Sequence, residues 1–147
     1  MKVTKLNDLV SVVEYLQGFE LRDQSMRIMV LDDAKRFVTA LGIEREYIGV
    51  PFNREVMEEC LNTIEPMFPQ DSHSLVLIGH NTDTEEGRGE LSDALRAARA
   101  RGWLGTVALH MDHERRLWRE NNTGPWQDIG VVPVSYTHLT LPTTPYV

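Results

Sequence analysis

The sequence predicts an α/β fold in which helices pack on a mixed, partly parallel sheet. Two short apolar runs, at residues 74–79 and 105–111, are separated by a segment whose apolar residues recur every three or four positions. A strand, a helix and a strand in this order form one βαβ unit, because a crossover of about two dozen residues is long enough to join parallel strands. The length of 147 residues is that of one domain.

The first predicted element is a helix with Thr4 or Asn7 as its N-cap. Gly18 ends it, because glycine adopts the left-handed conformation of a helix C-terminus without strain. The alternating apolar residues of 26–31 then predict a strand. The apolar stripe of the helix consists of Leu6, Leu9, Val10, Val13 and Leu16.

Two further strands are predicted at residues 37–41 and 47–50, although residues 34–41 also fit a helix. Asn53 is the predicted N-cap of the second helix. Pro66 ends this helix, because proline disfavours helical geometry in the residue before it. Its apolar stripe consists of Val56, Met57, Cys60, Leu61 and Ile64.

The predicted βαβ unit follows. Residues 74–79 are continuously apolar, as is typical of a central strand covered on both faces. The crossover helix ends at Gly102, and Trp103 is placed to make the apolar contact that follows such an end. Residues 105–111 form the second strand, and residues 115–120 are predicted to pair back on it as a hairpin. The apolar stripe of the helix consists of Leu91, Ala94, Leu95 and Ala98.

Charge and composition exclude several classes of partner. The formal net charge is −7, whereas nucleic-acid and anionic-membrane surfaces attract basic proteins. No apolar run approaches the roughly 20 residues of a membrane helix. The single cysteine, Cys60, lies in an apolar stripe, which predicts a buried structural thiol and a cytoplasmic location. A small molecule or another protein remains as the expected partner, and the sequence predicts neither a cofactor nor an oligomeric state.

The last fourteen residues differ in composition from the rest of the chain. Residues 134–147 read VSYTHLTLPTTPYV and contain no charged side chain. They resemble the translation of a transposon-end sequencing adapter, so Tyr136 and His138 are given no functional role. Residues 1–133 are therefore predicted to form a single α/β domain that is truncated at its C-terminus.

Roughly residues 5–133 resemble a known family, and the N-terminal motif is the specific part of the resemblance. Residues 15–19, YLQGF, are followed by RDQS at 22–25 and by an apolar strand through Val30. This pattern resembles domain of unknown function 4192, a largely actinobacterial and actinophage family, although Gln17 and Glu20 depart from its commoner residues. The resemblance implies a lost C-terminal half and brings no activity, cofactor or catalytic residue. Later segments that agree in order and spacing are Gly49-Val50-Pro51, Leu75 to Ile78, Leu95 to Gly102, and Trp118.

The loop after the central strand is the strongest predicted ligand site. Residues 79–84 read GHNTDT and lie between a strand and a helix, where ligands bind in open α/β sheets. His80 and Asp83 fit an acid–base pair, and Asn81 and Thr82 fit hydrogen bonds to a ligand. The alternative is structural, because asparagine, threonine and aspartate also form turns and helix caps.

A second cluster has residue types that bind metals. His110 and Asp112 share one face of a predicted strand, His113 follows them, and His80 is expected to join them from the neighbouring strand. Imidazole and carboxylate suit zinc, iron or manganese, but a metal site needs three or four convergent ligands. Only two are placed by spacing, so no metal is assigned. The alternative is a solvated strand end beside Glu114.

Two further segments contain weaker patterns for a binding site. Residues 87–89, GRG, lack the lysine and serine of a phosphate-binding loop, and two glutamates precede them. Trp118 and Trp126 flank Arg119 and residues 121–122, in a composition that fits a ligand or partner surface. The same tryptophans also fit a role in covering the edge of the sheet.

Two functional hypotheses follow from these patterns. The first is a cytosolic ligand- or partner-binding module, or a regulatory one, since no complete catalytic motif is present. The second is a metal- or histidine-dependent enzyme with its site at the strand ends around His80 and His110. A bound metal or a tight convergence of side chains would favour the enzyme, and their separation would exclude a single shared metal ion. The side chains concerned are those of His80, Asp83, His110, Asp112 and His113.

Overall fold

The computed structural model describes residues Asp8 and Val10, 25–44 and 53–129. Asp8 and Val10 are helical, and the remaining elements are named here in chain order. The predicted strand at 47–50, the caps at Thr4, Asn7 and Gly18, and residues 134–147 lie outside the described residues. The elements are β1 Ser25–Asp32, β2 Phe37–Glu44, α1 Arg54–Ile64, β3 His73–His80, α2 Glu85–Ala100, β4 Val107–Asp112, β5 Leu117–Glu120 and β6 Gln127–Asp128.

The strands form one mixed sheet in the order β2-β1-β3-β4-β5-β6. Strands β3 and β4 are parallel and are connected through α2, which confirms the predicted βαβ unit. The other neighbours pair antiparallel, including β4 with β5, the predicted hairpin. Residues 37–41 belong to a strand and not to a helix. The fold class is therefore the predicted α/β class.

Helix α1 begins and ends as its sequence predicts. The Asn53 side chain accepts a hydrogen bond of 3.0 Å from the Val56 backbone N–H, which satisfies one otherwise free donor of the first turn. The helix ends at Ile64, two residues before Pro66. Its buried residues are Met57, Cys60, Leu61 and Ile64, and Val56 packs beside them.

Helix α2 has a defined cap at each end. The Thr84 hydroxyl accepts a hydrogen bond of 3.0 Å from the Gly87 backbone N–H. At the other end Gly102 has a φ of 102°, and its N–H and that of Trp103 donate to carbonyls of the last turn. This is the Schellman arrangement, in which glycine relieves the strain of the left-handed residue. Trp103 is buried in the core, as predicted.

The sheet separates two apolar cores, one on each face. Helices α1 and α2 cover the first, the helix-covered face, which includes Leu75, Leu77 and Ala108. The second, the opposite face, includes Val76, Ile78 and Leu109, and Val10 packs against it. Side chains alternate between faces along a strand, so the odd and even residues of β3 enter different cores.

None of the helices in the part of the chain that the structure describes has the length and apolarity for a membrane crossing.

Candidate functional site

The predicted ligand loop joins the end of β3 to the start of α2. Asn81 has a φ of 56°, a left-handed conformation that asparagine tolerates better than most residues. Its backbone N–H donates to the Met111 carbonyl at 2.8 Å, and its side-chain oxygen accepts from the His113 backbone N–H at 2.9 Å. Asn81 therefore ties the end of β3 to the end of β4.

The next residue, Thr82, is buried and bonded to one of the predicted metal ligands. Its hydroxyl lies 2.9 Å from Nδ1 of His110, and Nε2 of that histidine lies 2.7 Å from Oδ1 of Asn122. The Asn122 amide nitrogen donates to the Arg88 carbonyl at 3.0 Å and to the Ser92 hydroxyl at 2.7 Å. An amide oxygen only accepts, so Nε2 carries the proton and Nδ1 accepts from the threonine. Both ring nitrogens of His110 are thus occupied.

The charge state of His110 follows from its surroundings. Burial lowers its pKa below the usual 6.5, and the hydrogen bond to Asn122 offsets this only in part. A buried imidazole avoids the desolvation cost of a positive charge by remaining neutral. His110 therefore acts as a neutral, fully bonded side chain that orients Thr82 and Asn122.

Two glycines allow Thr82 to approach this closely. A Cβ atom on Gly79 would overlap the Thr82 hydroxyl, and one on Gly87 would overlap the Thr82 carbonyl oxygen. By contrast, a Cβ on Gly89 would meet nothing within 4 Å. The first glycine of the GRG segment therefore has a packing role.

His80 occupies a different environment on the opposite face. It is the last residue of β3 and is fully buried, with Nδ1 placed 2.8 Å from Nε2 of His113. Ser25 lies directly across from it on β1. Burial, with His113 and Arg27 nearby, holds the pKa of His80 well below its usual range. Within the described part of the chain, His80 Nε2 and the Ser25 hydroxyl have no hydrogen-bond partner.

The expected convergence of His80 with His110 and Asp112 is wrong. In the parallel pair Gly79 is opposite His110, and His80 is opposite Met111, so the two histidines lie on different faces. The Asp112 carboxylate bonds Arg115 at 2.6 Å. Among residues 25–44 and 53–129, no group of three or more His, Cys, Asp or Glu could hold a metal ion.

Three arginines converge on Asp83, the last of the four predicted ligand-binding residues. Arg88 and Arg119 each lie 3.2 Å from its Oδ1, and Arg115 lies 3.9 Å from its Oδ2. The guanidinium groups of Arg115 and Arg119 also lie 4.9 and 4.8 Å from the centroid of the Trp126 ring. We call Arg88, Arg115 and Arg119 the arginine cluster. Asp83 and the predicted acid–base partner His80 therefore bond different groups.

A groove of about 240 Å³ opens beside this cluster, between α2 and the turn that follows β5. Its wall is mostly apolar, and Asn122 is shared between the groove and the His110 network. We call it the α2 groove. It is lined by Leu91, Ser92, Leu95, Ala108, Asn121, Asn122 and Thr123.

Sequence reasoning found part of this site. It singled out Asn122, which lines the groove, and Trp126, which contacts the arginine cluster. It also grouped Trp118 with them, but Trp118 is buried on the opposite face. It missed Arg88 and Arg115, because they come from separate elements. The available signal was the hairpin, which places Arg119 directly opposite His110.

Three comparisons with known proteins give no match. No family model matches the chain, and neither does a curated protein or a solved structure. The resemblance to domain of unknown function 4192 therefore stays a prediction.

Proposed function

We propose that the chain is a ligand-binding α/β module whose ligand occupies the α2 groove. The observation that carries the proposal is a mostly apolar groove of about 240 Å³ with a few fixed polar groups near its wall. Ligand sites are commonly apolar concavities of this kind. An apolar cavity of about 150 Å³ holds benzene, so the groove suits a ligand of one ring with short substituents.

The bonding at the strand ends supports binding more than catalysis. A general base needs a free nitrogen or oxygen within hydrogen-bond reach of the substrate. Both ring nitrogens of His110 are occupied by Thr82 and Asn122, and His80 is buried on the other face of the sheet. The hydrogen bonds of His110 instead hold Asn122 in place in the wall of the groove.

A cytoplasmic location belongs to the same proposal. The net charge is −7, which disfavours binding to nucleic acid and anionic lipid. Burial raises the pKa of the single cysteine, Cys60, to about 11, so its thiol stays protonated and unreactive. A module with one inert thiol needs no oxidising compartment.

The test uses a neutral probe, 3-phenylpropan-1-ol, and two variants on α2. Leu95→Trp places an indole in the groove, and Arg96→Trp places one at the next, exposed position. The alcohol, added to about 10 mM to detect a Kd near 1 mM, is expected to shift amide resonances of groove residues. Leu95→Trp is expected to weaken binding about tenfold, and Arg96→Trp to leave it unchanged.

Two results would overturn the proposal. One is the absence of any shift at groove residues at the highest alcohol concentration. The other is a shift that Leu95→Trp leaves unaltered, because the probe would then bind elsewhere. Folding of each variant is checked from the dispersion of the same spectra.

A further inference from the structure

We infer that the ligand of the α2 groove is a small apolar carboxylate, with its ring or branched chain in the groove and its carboxylate on the arginine cluster. This inference rests on the proposed function, because it names the ligand class of the same groove. Two features carry it: an unused donor in the cluster and the spacing along β4.

The arginine cluster already binds a carboxylate, that of Asp83. Two guanidiniums lie 3.2 Å from one of its oxygens, and Asp112 takes the Nε of Arg115 at 2.6 Å. Glu114 also acts on Arg115, so three carboxylates face the three guanidiniums, and a ligand carboxylate is bound through hydrogen bonds and not through an excess of charge.

Arg119 has an unused donor in this cluster. Its side chain is 15% exposed, and within the described residues its Nε is buried without a hydrogen-bond partner. A buried donor without an acceptor costs about 1–3 kcal/mol, so a site that presents one favours a ligand that accepts from it. The planar guanidinium fits a carboxylate through two parallel hydrogen bonds.

The cluster and the groove lie at the spacing that one small molecule spans. Ala108 lines the groove, and His110 is two residues further on the same face, which is about 7 Å along a strand. Arg119 is directly opposite His110, and the charges of Arg88 and Arg119 both act on that imidazole. Asn122 links the groove wall to His110. A ring joined to a carboxylate by two or three carbons covers this distance.

The experiment compares 3-phenylpropionate with 3-phenylpropan-1-ol, which has the same ring and arm without the charge. Resonance shifts at low ionic strength are expected to give the acid a Kd about tenfold lower than that of the alcohol. Arg88→Gln is expected to remove most of that preference, measured as the ratio of the two Kd values in the same variant. The control is Arg96→Gln, an exposed arginine of the same helix outside the cluster.

A second variant keeps the test valid if Arg88→Gln folds poorly. Arg119→Lys keeps the charge and loses the paired donors, so it is expected to reduce the preference for the acid several-fold. Phenyl phosphate is titrated alongside, because tighter binding of the phosphate than of the acid would exclude the carboxylate class.

The outcomes separate this inference from the proposed function. Equal binding of acid and alcohol in the groove overturns the inference and leaves the ligand-binding module intact. An acid preference that both arginine variants leave unchanged also overturns it. Failure of both compounds to reach the groove overturns the proposed function itself.

Discussion

His80 and His110 lie at or near the carboxyl ends of two neighbouring parallel strands, yet their environments differ. Both are fully buried, and burial lowers the pKa of each. His110 has a partner for each ring nitrogen, through Thr82 and Asn122. His80 has only His113, and its Nε2 has no partner in the described part of the chain.

The difference arises because the two histidines are offset by one residue in the pairing of β3 with β4. His80 pairs with Met111, so His110 falls one position away, on the other face. A shift of one residue exchanges the faces of a strand. Two histidines that look equivalent in sequence therefore have separate roles. His110 holds the wall of the groove, and His80 closes the opposite core.

The largest expected change in the free energy of unfolding comes from the substitution of His110. His110→Leu leaves Thr82 and Asn122 without their shared partner, and each unpaired buried group costs about 1–3 kcal/mol. We expect the free energy of unfolding at pH 7.5 to fall by about 3 kcal/mol, measured by urea denaturation. A fall below about 1 kcal/mol would mean that the two groups find water or other partners.

Crowding around Thr82 gives the next prediction. Gly87→Ala forces a methyl group onto the Thr82 carbonyl, and overpacking of this kind costs about 1–3 kcal/mol. Gly89→Ala, on the same helix, meets open space and is expected to stabilise the protein by about 0.5–1 kcal/mol. Urea denaturation of both variants tests the pair, and equal effects would contradict the packing argument.

The pH dependence of stability separates the two histidines further. Their folded-state pKa values lie below that of an unfolded histidine, near 6.5, so the unfolded state takes up protons first as the pH falls. Stability is therefore full above pH 6.5 and is lost below it, by about 1.4 kcal/mol per pH unit for each histidine that stays neutral.

His80→Leu tests the contribution of one of these histidines. It is expected to be nearly neutral at pH 7.5 and to reduce the loss of unfolding free energy between pH 7.5 and 5.5 by about 1 kcal/mol. Leucine also suits the apolar core around position 80. Denaturation curves at the two pH values give the result, and an unchanged slope would show that His80 is protonated in the folded protein.

The smallest expected changes in the unfolding free energy come from removing one of two buried hydroxyl groups. Ser25→Ala removes a buried hydroxyl that has no partner among the described residues, so the unfolding free energy is expected to stay the same or rise by up to about 1 kcal/mol. Thr82→Val removes a bonded hydroxyl and is expected to cost about 1–2 kcal/mol. Calorimetric melting of the two variants decides the comparison, which fails if Ser25→Ala is the more destabilising.

Much of the fold followed from apolar spacing and caps. The stripes of α1 and α2, the cap at Asn53 and the end at Gly102 are local features, so a short stretch of sequence determines each. The position of β1 between β2 and β3 was not predicted, because antiparallel pairing between strands distant in sequence leaves no local signal.

The site was predictable only in part, for a physical reason. Residues 74–79 are apolar on both faces, so their pattern does not show which face the helices cover, nor on which face His80 lies. The hydrogen bond between Thr82 and His110 depends on which face of the sheet each side chain occupies. The arginine cluster draws on three separate elements, and only the β4–β5 pairing brings Arg119 beside Asp83.

The contact of Arg115 and Arg119 with the Trp126 ring has a consequence for the fluorescence of the protein. Trp103 and Trp118 are buried, each 3% exposed, whereas Trp126 is only partly buried against Arg115 and Arg119. Excited indole is sensitive to neighbouring charge, so an anion that draws either arginine away alters the fluorescence of Trp126 ahead of the other two. The protein thus contains its own spectroscopic reporter for events at the strand ends, with no added dye.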